Sequence, residues 1–397
     1  MANRILPSLS AGEYSLLAML FMAEFSRSAF FISFLPIYAT EFLGWSLAAA
    51  GMAASVHYFT ETLVKFLAGW HLDRFGRPVI QGGLLVCLIS LAAAGTYSHP
   101  AMMAVSAAAF GLGLSPLWIG VITVVAPAKK KDRSSRVSLV FAAWLAGMGS
   151  GLSVINFFMS AGYFPAFSVI VGCLLTAFIF SLFFFPPVKT GKAGPDAITR
   201  TLQMISNKSL TRLLLPGMFL QTLSASILIP VLPVFAKQKM GLSHDSYGVL
   251  LLAGGAATLA ALIPMGRLAD KINLKPLLFT GLLSSSAALS LLAVAGNSSN
   301  ALFIVIALGV SYGAVLPAWN TLLAKAIPPE RQATGWGLFS TVEGLGISAG
   351  PAMGGFLANV STLGGILLIT SGILSIMAFF YVLYPLERFF TRNNSIL

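Results

Sequence analysis

Glu24, Arg27, His57, Glu61 and Lys65 are ionisable residues embedded in two long apolar stretches, 14–38 and 45–70. An ionisable group in hydrocarbon costs roughly 2.5 kcal/mol or more, so each needs a partner or a task. Glu24 and Arg27 are three residues apart, which on a helix puts them on one face where they can neutralise each other. His57, Glu61 and Lys65 follow at intervals of four and form a single polar stripe, whose Lys65 end can snorkel to a membrane surface. The chemistry on offer is proton uptake and release. At Glu61, burial favours the neutral acid and Lys65 favours the carboxylate, so a moving helix can shift the balance. A satisfied ion-pair network between two helices is the competing reading. For Glu24 and Arg27 function is preferred, because apolar residues would pack equally well without the desolvation cost. For His57 the two readings stand level.

The elements that must position these groups are membrane spans. Of 397 residues, 57% are hydrophobic and 9% charged, and mean hydropathy is +0.87, whereas a soluble domain has about 25% charged residues. A hydrocarbon core of about 30 Å needs about 20 apolar residues per helix. Twelve such runs are predicted at 14–38, 45–70, 79–97, 101–126, 137–160, 164–185, 213–236, 246–267, 277–295, 300–323, 336–358 and 364–386. Pro36, Pro116, Pro233, Pro264 and Pro317 fall inside them and are expected to bend helices whose freed backbone groups neighbouring spans can satisfy. With both termini in the cytoplasm, 20 of the 24 Lys and Arg lie on that side, and only Lys237 and Lys239 lie outside. The positive-inside rule therefore explains the net charge of +12 without nucleic acid. No cleavable signal peptide is expected, the first span serving as its own insertion signal. Cys87 and Cys173 lie in apolar spans and are expected to be buried thiols, with neither a disulfide nor a metal site.

A long polar and basic gap divides the chain into bundles 1–185 and 213–397, with a cytoplasmic linker at 186–212. Phe34-Leu35-Pro36-Ile37-Tyr38 recurs as Val231-Leu232-Pro233-Val234-Phe235, and Gly69…Asp73-Arg74 as Gly266…Asp270-Lys271, both 197 residues later. Pro116-x-Trp118 recurs as Pro317-x-Trp319 at an offset of 201. Duplication is the economical explanation, and two facing bundles that rock about a midplane site are the arrangement of secondary transporters. At the 197 offset, Glu24 becomes Gln221, Arg27 becomes Ser224, His57 becomes Gly254 and Glu61 becomes Thr258. One wall of a central cavity is therefore expected to be charged. The other is expected to be mainly apolar, with Gln221, Trp319, Asn320, Trp336 and Glu343 as its polar or amphipathic points. An amphiphile suits such a cavity. Trp118 and Trp144 lie inside the fourth and fifth spans, where sugar stacking and plain helix packing are both open.

Gly69-Trp70-His71-Leu72-Asp73-Arg74-Phe75-Gly76-Arg77 resembles the loop motif Gly-x-x-x-Asp-Arg-x-Gly-Arg of the major facilitator superfamily. The resemblance implies an all-α membrane protein of twelve transmembrane helices in two pseudo-symmetric six-helix bundles. It gives Gly69, Asp73, Arg74, Gly76 and Arg77 a conformational role: Gly69 lets two helices approach, Asp73 caps or pairs, and the arginines meet carboxylates or helix C-termini. The glycine-rich segment from Gly344 to Gly355 is expected to be a helix-packing stripe. More narrowly, Ala23-Glu24-Phe25-Ser26-Arg27, Ser55-Val56-His57-Tyr58…Glu61, Ser115-Pro116-Leu117-Trp118, Ala143-Trp144-Leu145 and Leu316-Pro317-Ala318-Trp319-Asn320-Thr321 are similar to the proton-coupled glycolipid flippases of lipoteichoic acid synthesis. That resemblance implies that Glu24, Arg27, His57, Glu61, Trp118 and Trp144 line a headgroup and proton pocket, with lipid chains received by the second half. The chain departs from that group's pattern at Glu61, where the pattern has Asp, and at Glu343, where it has a neutral polar residue.

The expected function is proton-coupled antiport of a glycolipid such as diglucosyl-diacylglycerol from the inner to the outer leaflet. Proton-coupled multidrug efflux is the alternative, because it needs the same mixture of charge and apolar surface. A sugar or metabolite importer and an uncoupled scramblase are the remaining readings, and the former is disfavoured by the sparse polar groups of the second half. An enzyme is not expected, for want of a nucleophile–base set, a metal-ligand cluster or a phosphate-cradling loop. Protons are the only coupling species expected, membrane lipids and an amphiphilic substrate the only partners, and the monomer the working state.

Overall fold

The computed structural model describes residues 9–127, 133–186, 214–269, 274–294, 298–326 and 332–383. The chain divides into two compact units, Met1–Ala193 and Gly194–Leu397. In the first unit the helices are α1 (Ala11–Ser28), α2 (Leu35–Glu41), α3 (Leu47–Phe75), α4 (Arg77–Thr96), α5 (Pro100–Val125), α6 (Arg133–Ser160) and α7 (Tyr163–Phe184). The second contains α8 (Leu215–Gln238), α9 (His244–Ala269), α10 (Leu274–Val294), α11 (Ser298–Ala326), α12 (Gln332–Val360) and α13 (Leu363–Leu383). Taking Ala11–Glu41 as one span, ten segments among the described residues are long and apolar enough to cross a membrane. The other two of the twelve long helices are α3, which carries the polar stripe, and α12, each of 29 residues. The protein is thus a multi-pass membrane protein, and each predicted run coincides with a helix. The proposed linker lies mostly outside the described residues.

Each unit buries its helices in the same pattern. In the first, α1 packs on α6 and α7, and α5 packs on α3 and α4. The second repeats this with α8 on α12 and α13, and α11 on α9 and α10. Small residues allow the closest of these approaches. A side chain at Gly151 would meet the Phe25 backbone of α1, and one at Gly350 would meet the Ser226 and Ile227 backbone of α8. Gly346 and Gly354 repeat this contact a turn to either side, so the segment from Gly344 to Gly355 is a packing stripe.

The first span is not the uniform helix expected. Residues Ala29–Phe34 form a π-helical turn, in which the Leu35 N–H donates to the Phe30 carbonyl. Pro36 supplies a reason, since it has no N–H for the Ile32 carbonyl and the ladder is redistributed on its N-terminal side. Ser33 Oγ, within this turn, donates to Asn156 Oδ1 of α6 at 3.1 Å, and both residues are fully buried. The chain continues in helix through Pro116, Pro233, Pro264 and Pro317, and also through Pro230 and Pro351, which pattern reading passed over. Cys87 and Cys173 are free thiols, buried and half-buried.

At the start of α1, Ser10 accepts from the Glu13 N–H while Glu13 caps the Ser10 N–H, a reciprocal capping box. Glu13 Oε1 also receives Arg136 Nη1 at 2.5 Å, and the same nitrogen donates to the Val125 carbonyl at 3.1 Å. One buried guanidinium thereby ties the ends of α1, α5 and α6 together. Arg136→Ala should lower stability by about 3 kcal/mol, the cost of stranding a paired charge, read as a lower unfolding midpoint in detergent. An unchanged midpoint would remove the clasp from this account.

Candidate functional site

The charged residues of the first two spans come together as one cluster in the first unit. Arg27 Nε and Nη2 reach Glu24 Oε2 at 2.8 and 2.6 Å, with both residues about 95% buried. On α3, His57 Nε2 stands 3.6 Å from Glu61 Oε2, and Lys65 Nζ stands 3.3 Å from Glu61 Oε1. The two groups interact electrostatically across α1 and α3. Two carboxylates balance two cations, and His57 completes the set without unbalancing it when neutral. One added proton leaves the cluster with a net positive charge inside the membrane, which is the condition for a proton to bias a conformation.

Neighbouring aromatic groups hold these side chains in place. His57 is fully buried and stacks flat on Phe31 of the π-helical turn, with centroids 4.1 Å apart and planes within 4°. Tyr58 lies under the Arg27 guanidinium, 5.5 Å from centroid to carbon, and bridges α3 to α1. The sequence pattern alone assigns Tyr58 no role. Its signal was a polar aromatic directly after His57. Among the described residues neither ring nitrogen of His57 has a hydrogen bond of ordinary length, and the ring is held by its stacking on Phe31 and its approach to Glu61. Glycines bring the other helices close: Gly111 of α5 lies against the backbone of His57 and Glu61, and Gly147 of α6 lies against Phe21 and Glu24.

Trp118 and Trp144 form an edge-to-face pair with centroids 6.0 Å apart, and Phe141 completes the group. Trp144 is one turn before Gly147, and Trp118 is two turns, roughly 10 Å, beyond Gly111. The aromatic group is therefore a neighbour of the charged cluster along α5 and α6 rather than part of its pairing.

In the conformational motif, Gly76 takes the left-handed φ of 66° that links α3 to α4. Arg74 lies over the rings of Trp70 and Phe75, at 5.4 and 5.3 Å. Arg77 Nε has no hydrogen-bond partner among the described residues. The expectation for Gly69 needs correcting, because a Cβ there would meet Ile119 at an ordinary 3.8 Å, so the helices do not require glycine. The Asp73 side chain lies outside the described residues, as do Asp270 and Lys271.

The second unit contains a cavity of about 320 Å³ framed by α8, α9, α10, α11 and α13. Gln221, Ser224, Gly254 and Thr258, which stand where the first unit has Glu24, Arg27, His57 and Glu61, all line it. Gly254 and Thr258 are much smaller than His57 and Glu61, and the cavity lies beside them. Trp319 is a correction: it is 2% exposed in the packed core against Tyr381, with centroids 5.4 Å apart, and is not in the lining. Its large indole packs in a slot left by Gly217, since a side chain at that glycine would collide with both rings. Asn320 is exposed on α11 and also lies outside the lining. Glu343 is half-buried on α12 and interacts electrostatically with Tyr312 of the lining, and the Trp336 side chain lies outside the described residues.

Glu24→Ala strands Arg27 in an apolar core and should cost about 3–5 kcal/mol, whereas Glu24→Ala with Arg27→Ala should cost less than the single change. Unfolding midpoints in detergent read both. Equal midpoints for the single and double variants would mean that the pair does not carry the compensation.

The sequence model of the Major Facilitator Superfamily matches residues 16–213 and 214–395. Similar chains include the "Proton-coupled antiporter flippase LtaA" of Staphylococcus haemolyticus (strain JCSC1435), 28% identical over 376 residues, or 93% of each chain. The protein of the same name from Staphylococcus aureus (strain NCTC 8325 / PS 47) is 26% identical over 376 residues, again 93% of each. In fold, the chain is similar to the nucleoside transporter NupG, with a TM-score of 0.78, 14% identity, and coverage of 94% of this chain and 98% of that one. With twelve long helices, a repeated pairing pattern in two units and a family match across both, this chain belongs to the Major Facilitator Superfamily.

Proposed function

We propose that the protein is a proton-coupled antiporter that moves a glycolipid, such as diglucosyl-diacylglycerol, from the inner to the outer leaflet by alternating access. The observation that carries this reading is the contrast between equivalent positions of the two units. Glu24, Arg27, His57 and Glu61 make a charged cluster in one, while Gln221, Ser224, Gly254 and Thr258 line a largely apolar cavity in the other. A substrate with a sugar head and acyl chains matches that division. A small polar solute would leave the second unit's leucines unused, and a pure hydrocarbon would leave the charges without a role. Similarity to chains named proton-coupled antiporter flippases supports the same choice.

In this mechanism Glu61 is the proton acceptor. As a carboxylate it holds His57 and Lys65, and protonation weakens both attractions and frees α3 to change its neighbours. Glu24 and Arg27 accept and donate hydrogen bonds to sugar hydroxyls, and the rings of Trp118 and Trp144 offer stacking faces. Both termini and the linker are assigned to the cytoplasm on the charge of the loops. The protein works as a monomer and a transporter, not an enzyme, with the proton as its only coupling species.

Multidrug efflux is the second reading, favoured by the absence of charged residues, among those described, from the cavity lining of the second unit. Leaflet exchange of a fluorescent diglucosyl lipid in proteoliposomes separates the two. A proton gradient should accelerate exchange at least several-fold, free disaccharide should compete, and Glu61→Gln should abolish the response to the gradient. Extrusion of amphiphilic drugs without lipid movement would establish efflux instead. A gradient response that survives Glu61→Gln would take the proton role from Glu61.

A further inference from the structure

The lining of the second unit's cavity is graded along its length. Ser286 Oγ donates to the Ser371 carbonyl at 2.9 Å, which sets the adjoining residues Ser285 and Thr370 at one level of α10 and α13. Gly281 lies against the Ser311 carbonyl and Gly313 against the Thr258 carbonyl, which brings Tyr312 and Thr258 to a similar level. Gln221 and Ser224 join this polar belt from the N-terminal half of α8. Beyond it, the C-terminal half of α8 and the facing parts of α9 and α10 supply leucines, Phe235 and Met240. Leu282, Val315 and Leu374 line the cavity on the belt's other side, so it is an apolar vault crossed by a polar belt.

Most hydroxyls of the belt have already spent their protons. Ser224, Thr258 and Thr370 donate to the carbonyls of Leu220, Gly254 and Ile366 at 2.6, 2.9 and 2.9 Å. Ser285 differs. Its hydroxyl is buried without a hydrogen-bond partner, although the residue lines the cavity and is only 4% exposed. A buried donor left unpaired is costly, so its persistence beside a cavity points to a partner that arrives with a ligand. Gln221 brings two further N–H donors to the same belt. Among the described residues no lysine, arginine or histidine lines the cavity, so an ionised carboxylate or phosphate would be buried there without a counter-charge from them.

A neutral acceptor attached to long apolar chains meets all of these conditions. We propose that Ser285 and Gln221 recognise the ester carbonyls of a diacyl lipid, so that the cavity selects ester-linked chains over ether-linked ones. The vault takes the hydrocarbon, and the belt takes the linkage. This inference rests on the reading that the second unit receives a lipid, and it adds that the unit reads lipid chemistry rather than apolar bulk alone.

The test is equilibrium binding of dioleoylglycerol and of its dioleyl ether counterpart to the full-length protein in detergent. Neither probe carries a sugar, so the first unit's cluster contributes nothing to the ratio. The ester lipid should bind roughly five-fold tighter, the factor expected for one neutral hydrogen bond. Ser285→Ala and Gln221→Leu should each bring the ratio towards one, and Ser285→Thr, which keeps the hydroxyl, should retain it. Ser285→Ala removes an unpaired buried group, so its unfolding midpoint should not fall. Equal affinities in the unaltered protein, or a ratio unmoved by both substitutions, would overturn the proposal. Failure of both probes to bind would overturn it together with the lipid reading of the cavity. Absence of leaflet exchange with the affinity ratio intact would sink the flippase function alone.

Discussion

An ion pair placed in an apolar helix sets the terms for the first unit. Glu24 and Arg27 lie within 3 Å of each other and almost out of reach of solvent. Charges in such a place persist only when their hydrogen bonds are fixed and water is kept away. The surroundings supply both. Tyr58 covers the guanidinium, Gly147 lets α6 lie against Glu24, and the α3 stripe adds one acid and one base so that the total stays balanced. The π-helical turn one residue after Ser28 carries Phe31 onto His57. Each contact serves packing and keeps the buried charges paired.

The second unit demonstrates what the same scaffold becomes without that constraint. Its helices pair in the same pattern and its glycine stripe seals α12 on α8 as α6 is sealed on α1. Where charges stood, it has an amide, a hydroxyl, a glycine and a threonine, and all four line a cavity. Duplication kept the packing surfaces because a membrane helix has few other ways to bury its backbone and find close partners. The interior positions, which no helix-to-helix seam fixes, differ between the two units.

How much was legible depended on the range of the interaction. The helices were legible because apolar run length is a local property, and the spacings of three and four in Glu24/Arg27 and His57/Glu61/Lys65 gave the pairs directly. The π-helical turn was missed: Pro36 announced a disturbance, but not that it would be absorbed on its N-terminal side as a wide turn. Trp319 was misplaced because the repeat assigned a helix, whereas the face depends on which neighbour offers room. Gly217 and Tyr381 offered it to the indole. Ser285 carried no signal, since an unsatisfied hydroxyl is defined by surrounding atoms and not by the residue itself.

The sequence by itself determined the membrane class, the twelve spans, the two-fold repeat and the identity of the charged residues. These follow from hydrocarbon thickness, helical periodicity and the cost of burying charge, all of which act along one helix. Only the tertiary structure decided that the stripe of α3 meets the pair of α1, that Tyr58 and Phe31 close it, and that the counterparts of those charges surround a cavity. Which side chains share a space is set by the packing of separate helices, and that packing depends on shape across the bundle. The opening charges and their loss from the second half were therefore readable from the chain, while the enclosed cavity that their counterparts line needed the fold.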